Sequence, residues 1–230
     1  MKIGLIADVH GNSVALLAVW DAIVDEVDKI LFLGDLCGYY PFVEACSYLW
    51  ESESVIGIRG NHDQILLECI QEGANPGRVY RERYGSALAR TIQNNGQQLK
   101  SILETWPTSC NLRLGNTNFS LFHGAPWAPL DGRVYPDFSD WEFFNEVAGD
   151  VILLGHTHYP LIKSYGDKLI VNPGSVGQPR DQSSSASYAI YDTDAERVYH
   201  HRVSFNPKSL IDDALEHDPE LPYLVEVLVR

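Results

Sequence analysis

The sequence predicts an α/β fold in which two β-sheets pack face to face with helices outside. Over residues 2–63, apolar runs alternate with amphipathic stretches as strand, helix, strand, helix, strand, the pattern of parallel βαβ units. After residue 108 the pattern changes to antiparallel hairpins, which calls for a second sheet. Five of the expected strands also end in polar clusters, as strands do when their carboxyl ends share a crevice.

The elements follow in order. "KIGLIA" (2–7) reads as a buried strand, and "SVALLAVWDAIV" (13–24) as its helix, with Ser13 at the N-cap. "KILFLGD" (29–35) is a second strand, "FVEACSYLWES" (42–52) a helix after Pro41, and "SVIGIRGNHD" (54–63) a third strand running into a turn. Residues 64–105 are helical: "QILLECIQEG", a break at "ANPG", then two helices hinged near Asn95-Gly96. This stretch reads as a cap-like insertion within a single domain spanning 1–230. "NLRLG" and "NTNFSLFHG" form a hairpin, "DWEFFNEVAG" a helix, and "DVILLGHTH" a buried strand. Two further hairpins turn at Gly166-Asp167 and at "DTDAE", and "PKSLIDDALEH" is a helix with Pro in its first turn. The apolar tail 221–230 has two expected destinations, the chain's own core or a second copy in a homo-oligomer.

Composition narrows the function. With 45% hydrophobic residues in 230, the chain can bury a core without disulfides. No apolar run approaches the roughly 20 residues that cross a bilayer, and "MKIGLIADVH" is too short in its apolar part for a signal peptide, so a cytoplasmic location is expected. Cys37, Cys46, Cys69 and Cys110 lack C-x-x-C spacing and fit reduced, small hydrophobes. A net charge of -14, without a basic patch, argues against binding to nucleic-acid backbones or anionic membranes. An anionic substrate would need local neutralisation, for which metal cations are candidates.

The polar strand ends are Asp8-Val9-His10, Gly34-Asp35, Gly60-Asn61-His62-Asp63, His123-Gly124 and Gly155-His156-Thr157-His158. Singly, each is an ordinary turn. Together they offer two aspartates, one asparagine and four histidines at one topological position. Such mixed donors suit Mn, Fe, Co, Ni or Zn. Seven donors exceed one tetrahedral site, but two divalent transition-metal ions sharing a bridging carboxylate would use them all.

The ordered series D-x-H, G-D, G-N-H-D, H-G and G-H-T-H resembles the calcineurin-like metallophosphoesterase superfamily from residue 3 to about 180. "NPGSVGQPRD" (172–181) further resembles its small bacterial and archaeal phosphodiesterase-like branch. The resemblance implies the metallo-dependent phosphatase fold, a four-layer αββα sandwich of two mixed β-sheets. It implies that Asp8, His10 and His158 hold one metal and Asn61, His123 and His156 the other, with Asp35 bridging. It further implies hydrolysis of a small phosphomonoester or phosphodiester by a two-metal-bridged hydroxide, with His62 as general acid and Asp63 steadying the second nitrogen of His62.

Unlike the protein Ser/Thr phosphatases of that superfamily, "GDLCGYYP" carries no phosphate-binding arginine. Nor is the histidine of G-N-H-D replaced by cysteine as in some diesterases, so monoester cleavage stays open. Arg59 and Arg180 are candidate phosphate contacts, with structural or solvated roles as alternatives. Asn12, Tyr39 and Tyr40 are candidate pocket residues or core, and Glu68, Arg78, Tyr80, Arg81, Arg83 and Tyr84 candidate cap contacts. Two alternatives remain: a dinucleoside-polyphosphate hydrolase, and a non-catalytic scaffold of the same fold.

Overall fold

A computed structural model describes residues 1–230. The strands are β1 (Lys2–Ile6), β2 (Lys29–Phe32), β3 (Val55–Gly57), β4 (Ser109–Leu114), β5 (Thr117–Phe122), β6 (Val151–Leu153), β7 (Pro160–Tyr165), β8 (Lys168–Pro173), β9 (Ala186–Asp192) and β10 (Arg197–Val203). The α-helices are α1 (Ser13–Ile23), α2 (Tyr48–Glu51), α3 (Asn61–Glu72), α4 (Arg78–Tyr84), α5 (Ala87–Leu103), α6 (Lys208–His217) and α7 (Tyr223–Glu226).

Two mixed five-stranded sheets result, ordered β10-β9-β1-β2-β3 and β4-β5-β6-β8-β7. In the first, β1, β2 and β3 run parallel and β9 and β10 close one edge antiparallel. In the second, β5, β6 and β8 are parallel between antiparallel edges β4 and β7.

Period-two alternation explains the layers. Ile3, Leu5 and Ala7 turn inward and meet Leu31, Leu33, Phe119, Leu121, Leu153 and Val171 in the core between the sheets. The intervening Ile6, with Ile30 and Phe32, faces outward against Leu16, Val19 and Ile23 of α1 and Leu66, Leu99 and Leu103 of α3 and α5. Because both faces are covered, these strands are apolar throughout.

Several elements differ from the sequence reading. The expected hinge at Asn95-Gly96 is absent; α5 runs unbroken through it, and the break falls at Gly85, in the left-handed conformation. Gly96 is buried within the helix, where a β-carbon would make only ordinary contact with Ile70 at 3.5 Å, so it does not mark a turn. The helix expected over 140–149 is one 3-10 turn, Trp141–Phe144, whose Phe144 fills the outer face of the second sheet. The helix expected over 42–52 is likewise a 3-10 turn, Val43–Cys46, followed by the single turn of α2. The tail packs on its own chain: Leu224, Val227 and Leu228 join Tyr39, Tyr40, Leu210 and Ala214. No helix is long and apolar enough to cross a membrane.

Candidate metal centre

The strand ends bend sharply to aim their side chains at one place. Asp8, His10, Asp35, His156 and His158 all adopt left-handed backbone, with φ of 56°, 52°, 58°, 65° and 63°. Non-glycine residues avoid this region at roughly 1–2 kcal/mol each. Neighbouring strands enforce it: Asp8 and His10 donate their amides to Gly34 (3.0 Å) and Asp35 (2.9 Å), and Gly155 donates to His123 (2.8 Å). Asn61, His62 and Asp63 were expected in a turn but form the first turn of α3. Gly60 precedes them because a β-carbon there would collide with the Asp35 carboxylate.

Hydrogen bonding fixes the chemical state of three imidazoles. Nδ1 donates to a backbone carbonyl in His10 (Cys37, 3.0 Å), His123 (Leu33, 2.8 Å) and His158 (Gln178, 2.6 Å). A carbonyl can only accept, so Nδ1 carries a proton in each; in His10 and His158, which burial keeps neutral, Nε2 therefore presents a lone pair. The Nε2 atoms of His10 and His158 face each other at 3.0 Å, with Asp8 Oδ1 3.9 and 3.6 Å away. Burial holds both imidazoles well below the ordinary histidine range. Two Nε2 lone pairs therefore face each other beside the Asp8 carboxyl group.

The second group is built from the same types of side chain. His123 Nε2 lies 3.3 Å from Asp35 Oδ2 and 3.1 Å from Asn61 Oδ1, itself 2.9 Å from His156 Nδ1. Asp35 Oδ2 also lies 3.6 Å from His10 Nε2, between the two groups. Burial would lower His123, but the Asp35 carboxylate outweighs it and pushes this imidazole up to about 9. Burial would raise Asp35, but the surrounding imidazoles, His123 foremost, hold it well below the usual carboxylate range. Asp8 lacks comparable relief, and burial pushes it up to about 8. The buried Nε2 of His156 has no hydrogen-bond partner. Such acceptor-rich, donor-poor packing fits divalent cations, and Asp8/His10/His158 and Asp35/His123/His156 each place their ligand atoms within 4.8 Å of one another. Burial raises the Cys37 thiol well above its ordinary value, so it stays protonated beside them.

The remaining candidates separate. His62 is 4% exposed, its amide donates to Asp35 Oδ1 (2.8 Å), and its Nδ1 lies 2.5 Å from the Tyr80 hydroxyl. Burial raises Tyr80 well above its ordinary value and lowers His62, so the phenol donates and the imidazole accepts. Asp63 does not hold His62, contrary to expectation. Its carboxylate accepts the amides of Asp35 (2.9 Å), Leu36 (3.2 Å), Cys37 (3.0 Å) and Gly60 (3.0 Å), tying the loop after β2 to the start of α3.

Asn12 is fully buried, capping α1 through Ala15 (2.9 Å) and donating to the Gly177 carbonyl (2.9 Å), which corrects its assignment as a substrate contact. Arg59 is corrected too: it does not line the cavity over the histidines. Arg180 and Tyr39 do line it, joined by a 2.7 Å hydrogen bond. That cavity, about 570 Å³, has Asp35, Asn61, His62, His156 and His158 on its floor. From the expected cap, Arg83 and Tyr84 reach the cavity, Arg78 and Arg81 face another depression, and Glu68 pairs with Gln64.

Known proteins share this plan. The calcineurin-like phosphoesterase superfamily domain matches residues 1–196. The uncharacterised protein MJ0912 of Methanocaldococcus jannaschii is 30% identical over 233 residues, covering 94% of this chain and 92% of its own. Phosphodiesterase YfcE of Escherichia coli is 25% identical over 194 residues, covering 80% of this chain and 95% of its own. The crystal structure of a metallophosphoesterase from Sphaerobacter thermophilus aligns over 100% of both chains, with a TM-score of 0.80 and 28% identity. The strand-end motifs, the paired mixed sheets and these alignments lead to one conclusion: the chain belongs to the calcineurin-like phosphoesterase superfamily.

Proposed function

We propose that this protein hydrolyses phosphate esters with the help of two divalent transition-metal ions. In this reading Asp8, His10 and His158 hold one ion, Asn61, His123 and His156 hold the other, and Asp35 serves both. Bound there, such ions supply Lewis-acid neutralisation of phosphoryl oxygens and acidify water. The single observation that carries the reading is the 3.0 Å approach of the His10 and His158 Nε2 lone pairs, whose protons are committed on their far sides to carbonyls. A cation between such atoms turns that repulsion into attraction.

The chain's own groups take the remaining work. His62, fixed by the Tyr80 hydroxyl, presents its free nitrogen to the leaving oxygen and assists its departure as proton donor. Arg180, held by Tyr39, offers its guanidinium to a non-bridging phosphoryl oxygen. Asp63 keeps Asp35 and the start of α3 in register. The family match and the likeness to a relative named as a phosphodiesterase support phosphate-ester chemistry, with diesters the first class to assay.

The test is hydrolysis of bis(p-nitrophenyl) phosphate and p-nitrophenyl phosphate by chelator-treated protein, before and after addition of Mn²⁺. The expected result is activity restored by the ion and abolished in Asn61→Ala. Hydrolysis indifferent to chelation and to that substitution would overturn the proposal.

A further inference from the structure

The far wall of the cavity is built differently from its floor. It combines α4 with the C-terminal helices, which lie beyond the family match that ends at residue 196. The two pieces are fastened together. Arg90 of α5 makes paired 2.7 Å contacts with Asp213 of α6, and Asp218 accepts the Ser86 amide and hydroxyl at 2.8 Å. Tyr223 donates to the Arg83 carbonyl at 2.6 Å. This wall brings Arg83, Tyr84, Tyr223 and Arg230 to the cavity.

Their guanidiniums form no ion pair within the protein, although the Asp131 carboxylate lines the same cavity. In a chain with 31 acidic against 17 basic residues, Arg78, Arg90 and Arg202 pair with Glu82, Asp213 and Asp181. No carboxylate lies within 4.0 Å of the Arg83 or Arg230 guanidinium. Arg83 instead lies over the Tyr84 ring, with its guanidinium carbon 5.1 Å from the ring centroid. Arg180, held by Tyr39, is the guanidinium assigned above to the reacting phosphoryl group. Moreover, a cavity of about 570 Å³ is sized for a whole organic ligand rather than one phosphoryl group.

We propose that the Arg83–Arg230 wall is a subsite for a second anionic phosphoryl group, so that the substrate is an organic phosphate carrying at least two such groups. This rests on the phosphoesterase reading above and deepens it by naming the substrate class. Arginine suits the task because its planar guanidinium can pair two oxygens of a phosphoryl group at once.

The experiment compares kcat/KM for bis(p-nitrophenyl) phosphate, which has one charge, with that for diadenosine tetraphosphate, at a free Mn²⁺ concentration held constant. The wild-type protein is expected to favour the tetraphosphate. In Arg83→Gln/Arg230→Gln the tetraphosphate:bis-ester ratio should fall by at least about tenfold, the loss of one charge-assisted contact, chiefly through KM. A ratio unmoved by the double substitution, or no wild-type preference, would overturn the subsite while leaving the bis-ester activity standing. Absence of metal-dependent cleavage of either compound would instead defeat the phosphoesterase reading itself.

Discussion

The floor and the far wall of the cavity carry different kinds of polar residue on different kinds of scaffold. On the floor and directly beneath it, Asp8, His10, Asp35, His123 and His158 are at most 2% exposed and stand at the ends of buried parallel strands. Most of their backbones are held in left-handed conformations by interstrand hydrogen bonds. On the wall, Arg83 and Arg230 are exposed, the first on the short helix α4 and the second in the segment that follows α7. Groups that must share cations need positions fixed within tenths of an ångström, and a packed double sheet provides that. Groups that greet a variable part of a substrate can sit on a separable layer. In the proposed reading, chemistry lies in the sheet ends and selectivity in the layer folded over them.

The sharpest way to break this contrast is to remove a floor residue. Asp35→Ala takes away the carboxylate between the two donor groups and leaves His123 unpaired, so kcat/KM should fall on the order of 10³-fold or more. Elemental analysis of the same preparation should show reduced metal content.

Asp63→Ala should act on the fold instead. It orphans four backbone amides, each worth about 1 kcal/mol or more when buried, so urea denaturation should show a loss of about 4 kcal/mol. His62→Gln should lower kcat about 10²-fold without changing metal content. Tyr80→Phe, which removes only the hydroxyl holding that ring, should cost about tenfold in kcat with metal content and stability near wild type. Equal losses in His62→Gln and Tyr80→Phe would erase the distinction between the group that meets substrate and the one that positions it.

Much of the floor could be read from sequence, and the reason is local. Each donor directly follows an apolar run, so strand end and polar group share a few consecutive letters, as in "GLIADVHGN" and "VILLGHTH". What escaped depends on distant partners. Asp63 looks like a histidine's companion because it adjoins His62, yet its hydrogen bonds span to residues 35–37. Asn12 looks like a pocket residue, yet its carboxamide caps one helix and holds a loop 165 positions away. Gly96 carries a turn residue's letter, but it lies buried in the middle of the unbroken α5, facing Ile70 of α3. The far wall was the least readable part, since Arg83 and Tyr223, 140 residues apart, meet only in the fold.

The electrostatics of the floor give a test of sign. Without a cation, Asp8 is raised by burial to about 8, and His123 is held at about 9 by Asp35 against the effect of burial. Both folded values exceed the ordinary 3.8 and 6.5, so their protons stabilise the metal-free fold, and that stabilisation is lost as pH rises through about 8 and 9. The melting temperature of chelator-treated protein should therefore decline between pH 7 and 9. Metal-loaded protein should decline less, because cations have replaced those protons.

The central claim is that lone pairs from strand ends converge on a pair of cations, and calorimetric titration of Mn²⁺ into chelator-treated protein at pH 7 tests it most directly. The expected result is saturation near two ions per chain, with protons released on binding and stoichiometric uptake lost in Asp35→Ala. Saturation at no ion, or uptake indifferent to that substitution, would contradict it.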